Sequence, residues 1–213
     1  MKRIIATLLV ASSMLFAMQA NAQVMAEAGL LSYNINLLQK DADHWYNSTS
    51  GIYAGASYNY DLPILEGLSV VPGAYLYYTS KTQMSDFSFY PLLFDTKATH
   101  KESGLLIPVM ASYRYSFSSA SSVFVQLGPA FQLGFSAQTK SEPSGDVTNH
   151  FTHGDFKRCD LLLGGNLGVV FFDKYVVKLS YQSGLLNVAG SNYNDTGMRY
   201  NRVFVGLGAG YIF

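Results

Sequence analysis

Two histidines, His150 and His153, lie three positions apart in a segment rich in Gly and Thr. On a helix, this spacing would place both imidazoles on one face, where they could ligate a metal ion. The segment has no helical period, however, so we expect solvated loop histidines and no metal site. Ser, His and Asp also occur, but no G-x-S-x-G nucleophile elbow accompanies them. The sequence therefore predicts a protein that is not an enzyme.

The remaining reactive candidate is Cys159, the only cysteine among 213 residues. A lone cysteine cannot form an internal disulfide or supply a cysteine-rich metal site, and we interpret it as an incidental residue near the start of a strand. The chain has 14 basic and 14 acidic residues, with no basic stripe that would favour nucleic acid as a partner. We also expect no cofactor.

Three central segments alternate apolar and polar residues with a period of two, which indicates β-strands because successive side chains leave opposite faces. In segment 103–117 the apolar face is formed by Leu105, Ile107, Val109, Ala111, Tyr113, Tyr115 and Phe117. In segment 122–138 it is formed by Val123, Val125, Leu127, Phe131, Leu133 and Phe135. In segment 158–171 it is formed by Leu161, Leu163, Leu167, Val169 and Phe171. Each strand thus has one face suited to lipid and one suited to a polar interior.

Eight strand-like segments can be placed along the chain, near 25–38, 51–61, 68–82, 103–117, 122–138, 158–171, 175–187 and 198–213. The connections at 39–50, 83–102, 139–157 and 188–197 are long, whereas those at 62–67, 118–121 and 172–174 are short. Outer-membrane barrels combine an even number of strands with short periplasmic turns and long extracellular loops. The pattern predicts an all-β fold, an eight-stranded antiparallel up-and-down transmembrane β-barrel.

Residues 1–22 have the features of a secretory signal peptide. Lys2 and Arg3 precede a mostly apolar run, and Ala20-Asn21-Ala22 supplies small residues for cleavage. We expect a barrel domain over 23–213, located in the outer membrane of a Gram-negative cell after export through the periplasm. Charged residues make up 13% of the chain, about half of the ~25% usual in soluble domains, which agrees with a lipid-facing surface.

The polar faces of the strands predict a filled interior, because an eight-stranded barrel is only wide enough for its own side chains. The expected inward residues are Asn59, Arg114, Gln126, Gln132, Asp160, Asn166, Lys178, Gln182 and Arg202. Buried charges must be paired or hydrated. We therefore expect a lumen polar cluster of Arg114, Asp160, Lys178 and Arg202, in which Asp160 meets one of the three cations.

The first segment fits the lipid-facing pattern less well. We assign Leu31, Tyr33 and Ile35 to its oily face, which also places Glu27 there. Either a bulge near Gly29 shifts the register, or Glu27 lies in the wet interfacial zone. Aromatic residues near strand ends are expected to form interfacial girdles, with Tyr75, Tyr77, Tyr78, Phe131 and Phe135 toward the long loops.

Several motifs resemble the PorT-like outer-membrane β-barrel family of Bacteroidetes. They are Glu102-Ser-Gly-Leu-Leu-Ile-Pro108-Val, Gln126-Leu-Gly128-Pro129, Asp160 before Gly164-Gly165-Asn166-Leu167-Gly168, Tyr181-Gln-Ser-Gly184-Leu185-Leu-Asn187, and the ending Gly206-Leu-Gly208-Ala-Gly210-Tyr-Ile-Phe213. The resemblance covers most of the mature chain and implies a membrane barrel without assigned catalytic residues. The ending, with Tyr211 and Phe213 on one face, also resembles the signal by which the barrel-assembly machinery recognises its clients.

The sequence favours a non-enzymatic membrane-spanning scaffold whose long extracellular loops contact other molecules. The expected partners are outer-membrane lipids, the barrel-assembly machinery, and an extracellular ligand or protein. Phe87, Phe89, Tyr90 and Phe94 in loop 83–102 form the candidate contact, since exposed apolar clusters often mark binding surfaces; self-packing over the barrel mouth is the alternative. The other hypotheses are a soluble lipocalin-like periplasmic binding barrel, a small outer-membrane enzyme, and a narrow channel.

Overall fold

The computed structural model describes residues 22–39, 42–85, 96–142, 144–191 and 199–213. Its strands are β1 (Ala22–Gln39), β2 (Ala42–Asp61), β3 (Leu68–Ser85), β4 (Thr96–Ser118), β5 (Ser121–Glu142), β6 (Val147–Asn149), β7 (Cys159–Phe171), β8 (Tyr175–Gly184) and β9 (Arg199–Ile212), and the helix α1 spans His150–His153. No helix within these ranges has the length and apolarity to cross a membrane. The predicted signal peptide lies outside them except for Ala22.

The strands close into a ring. Each long strand pairs antiparallel with its neighbours in sequence, and β9 returns to β1 from Met25↔Ile212 to Leu38↔Arg199. The three-residue β6 is not part of the ring, because it pairs only with the outer end of β5 and the ring continues from β5 to β7. The predicted eight-stranded up-and-down barrel is confirmed.

The apolar faces of the central strands point away from the barrel axis. Ile107, Leu127 and Leu163 are 37%, 65% and 52% exposed, whereas Gln126 and Asn166 on the opposite faces are buried. A lipocalin-like barrel would turn its apolar face inward, so this arrangement excludes that alternative. Only a bilayer provides an apolar solvent for so large an outward apolar surface.

The predicted orientation of the first strand is wrong. Leu31, Tyr33 and Ile35 lie buried inside the barrel together with Glu27, and pairing with β9 runs through Gly29 without a shift. The irregularity in β1 lies instead between Asn34 and Ile35, opposite β2. The error arose because the lumen also holds large apolar side chains, so a run of apolar residues did not identify the lipid face.

Two of the predicted girdle aromatics also face inward. Tyr75 and Tyr77 are only 5% and 4% exposed and lie in the lumen, while Tyr78, the residue after Tyr77, faces outward at 44% exposure. Their phenolic hydroxyls bind carboxylates there, which a lipid-facing position would not provide. The interior is therefore partly aromatic.

The strands extend farther beyond the membrane than predicted. β1 and β2 pair as far as Gln39↔Ala42, through most of the predicted loop 39–50, and β3 and β4 pair as far as Ser85↔Thr96, through half of the predicted loop 83–102. Above the bilayer, water lies on both sides of the sheet. Strands there need no apolar face, so alternation cannot reveal them.

The periplasmic turns are short, as predicted. In the turn after β7, Phe172 and Asp173 have φ values of 51° and 58°, and the N–H of Lys174 donates to the Phe171 carbonyl at 3.1 Å. Positive φ at both central residues is typical of the type I′ hairpin turn, whose twist matches that of the flanking strands.

Loop backbone completes the wall at the extracellular mouth, where β7 and β8 are too short to reach. The segments 154–158 and 185–191 bridge the space between β5 and β9. Gly134 N–H donates to the Arg158 carbonyl at 2.7 Å, Lys157 N–H to Val188 at 2.9 Å, and Val188 N–H to Tyr200 at 3.0 Å. These bonds continue the hydrogen-bonded wall around the ring.

The segment around the paired histidines, which was predicted to be a loop, contains one helical turn. Helix α1 spans His150–His153, with the Asn149 side chain accepting from the Phe151 N–H and Gly154 ending the turn at a φ of 85°. Phe151 on this turn is buried against Gly134. An Asn cap, a Gly stop and one buried ring stabilise a helix too short to show a period.

Candidate functional site

A buried ion pair occupies the middle of the lumen. Lys178 Nζ lies 2.6 Å from Glu27 Oε2, and their side chains are 6% and 0% exposed. Tyr75 donates to the same oxygen at 3.3 Å, and the Tyr53 hydroxyl donates to Glu27 Oε1. Lys178 Nζ also lies 5.1 Å from the centre of the Tyr75 ring. The carboxylate thus has the several partners that a buried charge requires.

Glycines on the two strands that flank Lys178 create the space for this group. A side chain at Gly208 would overlap the Tyr53 hydroxyl and Glu27, and one at Gly168 would overlap the Phe124 ring. Close approach to a neighbouring side chain is a recognised use of glycine in strands. The Gly-rich pattern of β7 and β9 therefore serves to accommodate large luminal side chains.

A second polar group lies nearer the extracellular end and centres on Arg202, which is fully buried. Its guanidinium donates to the Tyr33 hydroxyl at 2.8 Å, to Gln132 Oε1 at 3.0 Å and to the Lys157 carbonyl at 2.8 Å. Gln132 in turn donates to the Tyr77 hydroxyl at 2.5 Å, and Tyr77 donates to Glu102 at 3.0 Å. The group joins β1, β3, β4, β5 and β9 across the lumen.

The structure does not bring the four predicted luminal charges into one cluster. Arg114 lies at the periplasmic end, where it donates to Gln23 at 3.4 Å, and Lys178 binds Glu27. Asp160 is fully buried and close enough to Arg202 to interact electrostatically. Among the described residues, however, Asp160 forms no salt bridge with any of the three cations, because the Arg202 guanidinium is directed to Tyr33, Gln132 and Lys157.

A cavity of about 100 Å³ lies above the Arg202 group, between the barrel wall and the segment 150–156. Glu102 and Tyr33 line its floor, His100 and His150 its sides, and Phe156 its cover. The remaining lining residues are Ile35, Thr49, Lys101, Ala137, Gln138 and Asp155. This is the vestibule of the barrel, and it joins the luminal network to the extracellular loops.

A chain of hydrogen bonds crosses the vestibule. His100 Nδ1 lies 2.7 Å from Thr139 Oγ1, which lies 2.6 Å from His150 Nε2, and His150 Nδ1 lies 2.8 Å from Asp155 Oδ2. His153 contacts the other Asp155 oxygen at 3.1 Å. The sequence analysis missed this arrangement, because Thr139 and His100 come from strands β5 and β4, far from the paired histidines.

Thr139, His150 and Asp155 have the order of a nucleophile, a base and an orienting acid. The Thr139 hydroxyl, however, lies between two imidazoles, so it donates to one and accepts from the other. Both hydrogen-bonding functions are then occupied, and we interpret the chain as a structural link between the wall and α1. Within the described residues, no three His, Cys, Asp or Glu side chains are grouped so that they could hold a metal ion.

His100 lies beyond the outward apolar band, which ends near Leu105 on β4, and so outside the membrane-spanning part of the strand. Partial burial, the His150 imidazole and the Lys81 ammonium all lower the pKa of His100. Burial removes water that would stabilise the imidazolium, and the neighbouring positive charges repel it. His100 is therefore neutral at neutral pH.

The other predicted sites have different outcomes. Phe87, Phe89, Tyr90 and Phe94 lie outside the described residues, so the candidate loop contact stays a prediction. At the other end of the chain, the Phe213 ring is 76% exposed and lies 5.0 Å, centre to centre, from Tyr211. Cys159 is free and exposed.

Several residues of the luminal polar groups and of the vestibule gave a weak signal in the sequence or none. Glu27 gave a weak signal, since an acidic residue in phase with Leu31 and Tyr33 indicates that this face is not lipid-facing. Glu102 and Thr139 gave none, because their segments are polar on both faces. Their roles depend on partners from other strands, which no local pattern contains.

The comparisons with known proteins agree with this architecture. The family described as "Outer membrane protein beta-barrel domain" matches residues 18–190. A comparison with curated protein sequences finds no match.

Solved structures with similar folds include three bacterial proteins. The attachment invasion locus protein Ail of Yersinia pestis, in complex with the heparin analogue sucrose octasulfate, is 13% identical, with 91% of this chain and 99% of that chain covered and a TM-score of 0.48. Neisserial surface protein A is 13% identical, with 90% and 97% covered and a TM-score of 0.44. OprG from Pseudomonas aeruginosa is 14% identical, with 90% and 96% covered and a TM-score of 0.43.

Proposed function

The chain belongs to the outer membrane protein β-barrel domain family, and from this premise we propose that it is a non-enzymatic scaffold that makes contacts through its extracellular loops. It is a membrane barrel of the outer membrane. Within the family, the motifs on β4 and β7 favour the PorT-like group of Bacteroidetes. The proposal also includes an extracellular ligand or protein at the loops and the barrel-assembly machinery as a partner during biogenesis.

The filled lumen is the observation that carries this proposal. Below the vestibule, two cavities lined by described residues measure about 40 and 20 Å³, which is room for a few water molecules. The Glu27–Lys178 pair and the Arg202 group lie across the axis, and their polar groups are bonded to other groups of the barrel. A lumen filled in this way supports a protein that acts at its surfaces.

Solute flux tests the sealed lumen. The folded protein is reconstituted into liposomes, and swelling in arabinose and current across planar bilayers are measured. Insertion is verified by flotation and by the folded, heat-modifiable band on a gel. We expect no swelling and no stable conductance above protein-free membranes, whereas stable, sizeable currents would show that the protein is a channel.

The enzyme alternative is tested at the Thr139–His150–Asp155 chain, the arrangement that most resembles a hydrolase. Hydrolysis of p-nitrophenyl esters of short and medium chain length is measured for the folded protein, the urea-unfolded protein and His150→Gln. A scaffold gives the same background rate in all three. A faster rate that requires both folding and His150 would contradict the non-enzymatic assignment.

The loop contact is tested by replacing Phe87, Phe89, Tyr90 and Phe94 with Ser. Cells that display the native or the substituted protein are mixed with hexadecane droplets, and the fraction of adherent cells is counted. If the aromatic side chains are offered to the exterior, adhesion falls at an equal amount of folded protein. Unchanged adhesion would favour packing of these rings over the barrel mouth.

A further inference from the structure

The segment 150–156, here called the lid, lines the outer side of the vestibule, and Phe156 near its end packs against Tyr200 of β9 with ring centres 5.7 Å apart. Its backbone is joined to the opposite loop by the Gly190 N–H, which donates to Asp155 at 2.8 Å, and by the bridge between Phe156 and Ala189. Phe151 packs against Gly134 of β5. The side-chain link from the lid to β4 and β5 is the chain His100–Thr139–His150–Asp155.

We propose that the hydrogen-bonded group His100–Thr139–His150–Asp155, here called the catch, responds to pH. It holds the lid in place at neutral pH and releases it in acid. The inference stands apart from the proposed function, since it concerns access to the vestibule and not flux through the lumen.

The hydrogen count explains the dependence on protonation. The Thr139 hydroxyl has one hydrogen. If it donates to His150 Nε2, its oxygen accepts from the N–H of His100 Nδ1, and the N–H of His150 Nδ1 donates to Asp155. One added proton leaves these bonds intact, because a charged His100 keeps its Nδ1–H, and a charged His150 can donate to Thr139 while the hydroxyl donates to a neutral His100. When both imidazoles are charged, two N–H groups point at the same oxygen, and the Thr139 hydrogen loses its acceptor.

The surrounding charges oppose a proton on His100. On the lid, Asp155 contacts His150 at 2.8 Å and His153 at 3.1 Å. His100 on β4 instead faces Lys81 from β3 and His150 from the lid, while the Glu102 carboxylate on the floor lies within electrostatic range of His150. A proton on His100 therefore creates repulsion across the joint between wall and lid.

The sign follows from the pKa of His100, which is lowered when the lid is closed. In the open state His100 is hydrated and returns toward its ordinary value of about 6.5. The open state then binds more protons than the closed state just below that pH. The closed lid is fully favoured above about pH 6.5 and loses stability as the pH falls below that value. In total, the equilibrium constant between closed and open lid changes about tenfold for each pH unit by which closure lowers the pKa of His100.

Hydrogen–deuterium exchange of the full-length protein in lipid nanodiscs tests the catch. The Gly190 N–H donates to the Asp155 carbonyl across the joint between the closed lid and the opposite loop, so peptides containing Gly190 report opening of the lid. After correction for intrinsic rates, we expect roughly tenfold or faster exchange at about pH 5 than at about pH 7.5. Peptides from β7 serve as internal controls and should not change.

Two matched variants separate the catch from general acid sensitivity. His100→Gln retains an N–H donor for Thr139 but cannot bind a proton, so the pH response should largely disappear. His153→Gln removes a more exposed histidine, whose side chain is 65% exposed, and should respond as the native protein does. Exchange that is independent of pH in the native protein, or a full response in His100→Gln, would overturn the proposal. Thr139→Val, which breaks the chain without changing its charge, should exchange rapidly at both pH values.

Discussion

At the scale of single residues, the stability of the barrel depends on a buried negative charge that requires a cationic partner. Glu27 is fully buried, and its negative charge is balanced by Lys178 at 2.6 Å. We expect Lys178→Met to destabilise the barrel by about 3–5 kcal/mol, because it leaves the carboxylate buried without its cation. Urea unfolding in detergent micelles, followed by the folded and unfolded gel bands, measures the change.

The double variant Glu27→Gln/Lys178→Met tests the cause. The glutamine keeps an acceptor oxygen for Tyr53, its amide N–H can donate to the Tyr75 hydroxyl, and the uncompensated charge is gone, so most of the lost stability should return. Lys140→Met is the surface control: its partner Glu142 is 3.8 Å away and both side chains are about half exposed, and such pairs contribute under about 1 kcal/mol. A double variant as unstable as the single one would mean that lost packing, not charge, is responsible.

At the scale of elements, the last strand combines two roles that can be separated. The Phe213 N–H donates to the Val24 carbonyl at 2.9 Å as β9 meets β1, while its ring is largely exposed. We expect Phe213→Ala to change the free energy of unfolding by under about 0.5 kcal/mol. If the ring is a signal for the assembly machinery, the amount of folded protein in the outer membrane falls several-fold.

Phe172→Ala is the matched control for that experiment, because Phe172 is also an exposed aromatic residue at the periplasmic end, with 73% exposure. It should leave the amount of folded protein unchanged. Equal losses in both variants would indicate that interfacial anchoring, rather than recognition of the last residue, limits assembly. The amount is measured on outer-membrane fractions with and without heating.

Whether the orientation of a strand could be predicted from the sequence depended on which residues form its inward face. β4, β5 and β7 were oriented correctly, because one face is continuously apolar and the other is rich in Gly and polar residues. β1 and β3 were oriented incorrectly, since Tyr33 and Tyr77 lie inside the barrel but produce the same alternation in the sequence as lipid-facing residues. The lid and the vestibule could not be predicted at all, because they depend on contacts such as Thr139 to His150 that join different elements.

At the scale of the whole molecule, the alternation of short and long connections predicts which end faces the cell exterior. In a Cys159→Ser background, a single cysteine is placed at Asp146, beside the lid, or at Ser119, in the short turn after β4; both positions are exposed. A membrane-impermeant maleimide added to intact cells should label Asp146→Cys. Ser119→Cys should react only after the outer membrane is permeabilised, and the reverse result would invert the topology.

The packed interior has a consequence for how many copies a cell can carry. Every open pore adds to the leak of an envelope in proportion to its number, so the abundance of such proteins is restricted by osmotic balance. If the flux experiment finds no conductance, a cylinder plugged by its own side chains adds nothing to that leak. Its copy number is then bounded only by the area of bilayer available, which suits the proposed scaffold.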